Sequence, residues 1–123
     1  MRISELAQRT GVSIDRLRRY ESQGLITSQR LANGYRSYTP SVVREVIFIA
    51  MAREVGFSIL QIAQSIPSFR TGLLSIDDMV TAFEQRVREV DIVIAQQQVL
   101  RQKLVDHIRW FHQPERQQPK KDP

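Results

Sequence analysis

Two stretches lie within 26 residues of each other: Ser13-Ile14-Asp15-Arg16-Leu17-Arg18-Arg19-Tyr20-Glu21, then Asn33-Gly34-Tyr35-Arg36-Ser37-Tyr38. Their chemistry is that of anion and base-edge recognition. A guanidinium presents a planar fork of donors that fits a phosphate or the edge of guanine, and a tyrosine hydroxyl adds a single donor. A cap-started helix is slim enough for a major groove, and a hairpin with Tyr and Arg can lie beside the phosphates. Together they imply a device that reads double-stranded DNA. No cluster of nucleophile, base and orienting group can be assembled, so no catalytic residue is assigned and the chain is not expected to be an enzyme. His107 and His112 are five residues apart and do not share a helix face, so no metal site is expected either.

Composition narrows the setting. The chain has 123 residues, 41% hydrophobic and 25% charged, enough for one domain with an extension. Met1-Arg2-Ile3-Ser4-Glu5 reaches a carboxylate before any apolar run, and no later window is long and uncharged enough to span a bilayer, so the expectation is a cytoplasmic protein without membrane association. The absence of cysteine excludes disulfides, thiolate metal sites, iron-sulfur clusters and thiol redox sensing. Charge is unevenly placed. Residues 1–38 hold seven Arg against Glu5, Asp15 and Glu21, a net of +4, whereas residues 76–112 hold five basic and six acidic side chains. The positive field belongs to the N-terminal part.

The positioning elements follow from caps and periodicity. Ser4 is placed to cap a first helix through Thr10, with Ile3, Leu6 and Ala7 facing inward and Gly11 as the turn. Ser13 caps the second helix, in which Ile14, Leu17 and Glu21 share one side and Asp15, Arg16 and Arg19 the other. Arg18 lies nearer the inward edge, three residues before Glu21, where an intrahelical ion pair and a phosphate contact both stay open. Gln23-Gly24-Leu25-Ile26 ends that helix. Asn33-Gly34 signals a hairpin turn because both residues tolerate positive φ, making residues 28–38 a wing. Tyr35 and Tyr38 can pack as ordinary strand residues; Arg36, on the opposite face from Tyr35, is the better phosphate candidate.

Thr39-Pro40 predicts a third helix to about Val55, stopped by Gly56, and Ser58-Ile59-Leu60-Gln61 predicts a capped fourth helix closed by Pro67. Val43, Val46, Ile47, Ile49, Met51, Ile59, Ile62 and Ile66 on these two helices are expected in the core. From Ser75 onward Ile76, Val80, Phe83, Val87, Val90, Ile94, Gln97, Arg101, Leu104, Ile108 and Phe111 repeat at alternating steps of four and three, the seam of a coiled coil. A helix of roughly 37 residues is some 55 Å long and needs a partner to cover its stripe, most simply a second copy. Ile76, Val80, Phe83, Val87, Val90, Ile94, Leu104 and Ile108 are therefore the dimerisation candidates. Gln97 and Arg101 interrupt the seam, either because a bend shifts it toward Val99 and Leu100 or because they fix register. Residues 113–123 are expected to form a disordered tail.

The chain resembles the MerR family of bacterial transcription regulators. The resemblance is dense over residues 1–66, through Glu5-Leu6-Ala7, Thr10-Gly11-Val12-Ser13, Leu17-Arg18, Tyr20-Glu21, Gly24-Leu25, Asn33-Gly34-Tyr35-Arg36, Tyr38, Phe48-Ile49 and Gly56-Phe57-Ser58. It implies a mainly α protein: a winged helix-turn-helix DNA-binding domain over 1–70 with a small β-hairpin wing, then a long coiled-coil dimerisation helix over 75–112. The implied function is that of a homodimer that clamps operator DNA and distorts an overlong promoter spacer for RNA polymerase. Ser13, Arg16, Arg18, Arg19, Tyr20, Arg36 and Tyr38 are the implied DNA-binding set, with Arg18 and Tyr20 matching phosphate-contacting helix positions and Arg36 and Tyr38 the gripping wing positions. Arg19 replaces a usual tyrosine and Arg16 a usual threonine, giving this helix more charge; Ser28 replaces a usual proline. Relatives that sense metals or oxidants use cysteines, and drug-sensing relatives carry a large C-terminal domain. This chain has neither in its sequence, so no cofactor is expected, and Trp110-Phe111 is either terminal packing or the lining of a small apolar pocket. Two other functions use such a module: an architectural DNA-bending protein of excisionase type, and a protein-binding adaptor.

Overall fold

The computed structural model describes residues 1–117 and resolves into two compact units, Met1–Met79 and Val80 onward. The first unit contains α1 (Ile3–Thr10), α2 (Ile14–Ser22), the strands β1 (Gln29–Arg30) and β2 (Arg36–Ser37), α3 (Val42–Glu54), α4 (Ile59–Arg70) and the start of α5 (Ile76–Phe111). A single turn, α6 (Pro114–Gln117), falls inside the segment expected to be disordered, of which residues 118–123 lie outside the described residues. The division between the two compact units falls within the first turns of α5. Among the described residues no helix is long and apolar enough to cross a membrane.

Local hydrogen bonding decides where α2 and α4 begin. The Ser13 hydroxyl accepts from the Arg16 N–H at 3.2 Å, and Ser58 and Gln61 form a reciprocal cap at 2.9 and 3.1 Å. Ser75 and Asp78 repeat the device at the start of α5. α1 differs: it starts at Ile3 behind Arg2, which gives no side-chain cap, while the Met1 and Tyr38 backbones pair immediately before it. α3 starts at Val42 rather than at Pro40, because Thr39 and Ser41 bond each other's hydroxyls and a turn occupies Thr39–Ser41.

The core of the first unit joins Leu6, Val12, Leu17, Tyr20, Leu25, Ile26, Tyr38, Val42, Val46, Ile49, Ala52, Ile62 and Ile66. Ile47 and Met51, expected inside, are nearly half exposed, on a face of α3 turned from that core. α4 does not stop at Pro67. It continues one turn to Arg70, because Phe69 stacks on Phe48 with ring centroids 4.5 Å apart and Arg70 bonds the buried Glu45 and the Leu25 carbonyl. Tertiary contacts in the last turn outweigh the lost Pro67 N–H.

α5 is a 36-residue helix, about 54 Å long, with no buried residue. Ile76, Val80, Val87, Val90, Ile94, Leu104 and Ile108 are all exposed; Phe83 is half-buried. Beyond Val90 the exposed Val93, Leu100, Leu104, Ile108 and Phe111, with Gln97, continue the same steps of three and four, so an apolar track passes Arg101 by.

Candidate nucleic-acid interface

The Ser13 cap fixes the rotation of α2, and burial of Leu17 and Tyr20 turns Asp15, Arg16, Arg18 and Arg19 outward. Gly11, at φ 73°, ends α1 in the left-handed region and lets α2 follow after a short turn, the arrangement of a helix-turn-helix. The wing pairs Gln29 with Ser37 and Arg30 with Arg36 in antiparallel register. Its turn is not the two-residue form expected from Asn33-Gly34. Leu31 N–H donates to the Tyr35 carbonyl and Gly34 alone has positive φ, 86°, which leaves a three-residue loop with a glycine bulge. The Asn33 side chain accepts from the Tyr35 N–H instead of supplying a second left-handed residue.

Arg18 is exposed rather than near the buried edge, and its pair is with Asp15 at 3.9 Å. The Glu21 partner proposed for it from sequence is taken by the wing: Arg36 Nη1 donates to Glu21 Oε2 at 2.5 Å. Arg16 donates to the Tyr20 hydroxyl at 2.9 Å and its guanidinium lies over the same ring. Arg19 has no side-chain partner among the described residues, so it is the freest cation on the helix. Tyr20 keeps its ring in the core and only its hydroxyl at the surface network.

Tyr38, which the resemblance implies as a gripping wing position, is 1% exposed and part of the core. The alternation that puts Arg36 outward puts Tyr38 on the same parity, but β2 ends at Ser37, and Tyr38 turns inward under the Met1 backbone. Burial, together with the neighbouring Glu21 carboxylate, pushes the Tyr38 hydroxyl above its usual pKa.

Two clefts flank α2. One, of about 570 Å³, gathers Arg18, Arg30 and Arg36 with Ser22, Thr27 and Ser28. The other, of about 130 Å³, gathers Arg16, Arg19 and Arg53 beside Tyr20 and Gln23. Arg30 and Arg53 were not singled out from sequence. For Arg30 the hairpin register carried the signal, since it lies directly opposite Arg36; like charges so placed repel and are relieved by an anion. Arg53 gave no local signal, because only the packing of α3 brings it to α2. Arg2, over the Tyr35 ring at 5.1 Å, adds a further cation at the wing. Arg18 and Arg36 thus line one of these clefts and Arg16 and Arg19 the other, whereas Ser13 is spent on its cap and Tyr38 on the core. Among the described residues no group of three or more His, Asp or Glu side chains is placed to hold a metal ion.

Residues 1–68 match the family described as MerR HTH family regulatory protein, and residues 43–107 match that described as MerR, DNA binding. The HTH-type transcriptional regulator CueR of Salmonella typhi is 31% identical over 106 residues, 85% of this chain and 77% of the relative. A probable heavy metal-dependent transcriptional regulator of Haemophilus influenzae is 37% identical over 120 residues, 91% of this chain and 85% of the relative. Among solved structures, the transcription regulator PbrR691 from Ralstonia metallidurans CH34, in complex with lead(II), matches with a TM-score of 0.71 at 23% identity, over 89% of this chain and 86% of that one. HiNmlR, a MerR family regulator lacking the sensor domain and bound to promoter DNA, matches with a TM-score of 0.59 at 20% identity, over 94% and 88%. At these identities the two structures establish a common fold.

Proposed function

Because the chain belongs to the MerR family of helix-turn-helix regulatory proteins, and is a non-enzymatic DNA-binding transcriptional regulator, we propose that it works in the cytoplasm as a homodimer on a two-fold-symmetric operator. In this reading α5 pairs with its copy through Ile76, Val80, Phe83, Val87, Val90, Ile94, Leu104 and Ile108. Each α2 enters a major groove with Arg16 and Arg19 toward base edges, while Arg18, the Tyr20 hydroxyl and Arg36 hold the backbone. Distortion of the promoter spacer then presents the promoter elements to RNA polymerase. The observation that carries the reading is the cleft beside α2 that collects Arg18, Arg30 and Arg36 from the helix and both strands of the wing. Three cations against the single carboxylate of Glu21 in one concavity, within residues 1–38 of net +4, form an electrostatic footprint for phosphate.

The metal in the names of two relatives does not transfer easily. Soft metal ions take deprotonated sulfur ligands, and this chain has no cysteine.

Footprinting across promoter fragments with purified protein is the direct test. Protection of a symmetric site with enhanced cleavage at its centre, together with altered transcript levels in a purified polymerase assay, is the expected result. Bending without any transcriptional effect would instead support the architectural alternative, and absence of protection would favour the adaptor.

A further inference from the structure

Glu21 sits where an acid is least expected, lining the arginine cleft beside α2. Its side chain is only 15% exposed. One carboxylate oxygen, Oε2, accepts from Arg36 Nη1 at 2.5 Å; the other, Oε1, is buried without a hydrogen-bond partner. The Tyr38 hydroxyl, also buried and without a hydrogen bond of ordinary geometry, is close to both the Glu21 carboxylate and the Ser28 side chain. Arg36 is not sequestered by the pair. Its side chain remains 51% exposed, and a guanidinium has five N–H donors, of which Glu21 takes one.

That geometry has a purpose for a wing so short. β2 is two residues long, and a long side chain on it pays rotamer entropy when it must meet a ligand in one orientation. A carboxylate anchored in the neighbouring helix removes much of that freedom beforehand and also ties the wing to α2 across 15 positions of sequence. We propose that Glu21 is a positioning residue for DNA binding, holding the wing cation Arg36 against α2 so that its remaining donors face the phosphate, with the Tyr38 hydroxyl as the group available to its second oxygen. The inference rests on the reading of Arg36 as a backbone contact.

A double-mutant cycle separates the two. Wild type, Glu21→Ala, Arg36→Ala and the double variant of the full chain are titrated with the protected promoter fragment and with a scrambled duplex, at several salt concentrations. Arg36→Ala tests the underlying reading: it should weaken both duplexes and make the salt slope shallower by about one. Glu21→Ala should lower affinity about five- to tenfold, although it removes a negative charge from a phosphate-binding face, and should have no further effect once Arg36 is gone. Glu21→Gln, whose amide oxygen still accepts from Arg36, should restore most of the affinity. Should Glu21→Ala fail to fold by circular dichroism, Glu21→Asp keeps the charge, shortens the reach and should lose affinity in the same background-dependent way. A gain in affinity on removing Glu21 would make the pair a restraint on Arg36 and overturn the proposal. Equal losses with and without Arg36 would overturn it too, assigning Glu21 to the fold alone.

Discussion

Arg19 and Arg36 carry the same charge into different surroundings, and the difference predicts different roles. Arg19 is exposed and has no side-chain partner among the described residues, whereas Arg36 is tied to Glu21 in a cleft shared with Arg18 and Arg30. Arg19→Ala should lose about 1 to 3 kcal/mol of discrimination at particular base pairs, while Arg36→Ala should weaken all sequences alike. Titration against a set of single-base operator variants distinguishes them; uniform losses for Arg19→Ala would make it another backbone contact. Tyr38 shows where residue-level reading stops. Its place in the motif was visible, but its burial depended on where β2 ends and on the Met1 backbone above it, neither of which is local to the residue. Burial favours its neutral form. The folded state therefore holds the proton above the ordinary tyrosine pKa of about 10, and stability present below that pH is lost as pH rises beyond it. Denaturation midpoints measured across this alkaline range should fall for wild type and fall less for Tyr38→Phe; parallel curves would contradict the assignment.

At the scale of elements, boundaries set by local bonds were legible and those set by distant contacts were not. Ser13 and Ser58 declare helix N-termini by bonds made within three residues, information contained in the sequence window itself. The end of α4 is set elsewhere, by Phe48 stacking on Phe69 and by Glu45 holding Arg70, so the local stop signal of Pro67 is overridden. Likewise Asn33-Gly34 announced a turn, while the turn type followed from the register of the flanking strands. The override at Pro67 is a measurable cost. Pro67→Ala would supply the missing N–H without disturbing the contacts beyond it, and should raise stability by about 1 to 3 kcal/mol. Urea denaturation at unchanged m-value tests this. A loss of stability would mean that proline's restriction of the unfolded chain outweighs the hydrogen bond.

For the whole molecule the decisive quantity is apolar surface left uncovered. Ile76, Val80, Val87, Val90, Ile94, Leu104 and Ile108 are between 44% and 75% exposed along one helix, a stripe that water would not tolerate on an isolated chain. The heptad steps that revealed this stripe came from sequence alone, since side-chain period is a property of the helix and needs no tertiary information. What sequence left open is the route of the seam past Gln97 and Arg101, and the exposed Val93 and Leu100 offer a continuous one. Val90 is common to both routes. Val90→Glu should therefore convert the protein from dimer to monomer in sedimentation at micromolar concentration, whichever route holds. DNA binding must change with it, because two linked modules engage the second half-site at high effective concentration and one module does not. In the proposed dimer, two basic modules should neutralise roughly six to ten phosphates, so affinity should fall about 10³-fold or more between about 50 and 200 mM salt. The monomeric variant should bind more weakly and with roughly half that salt slope, each module releasing only its own counterions. A dimer that persists in Val90→Glu would relocate the interface, and a wild-type affinity insensitive to salt would remove the phosphate-gripping role from the arginine face of α2 and the wing.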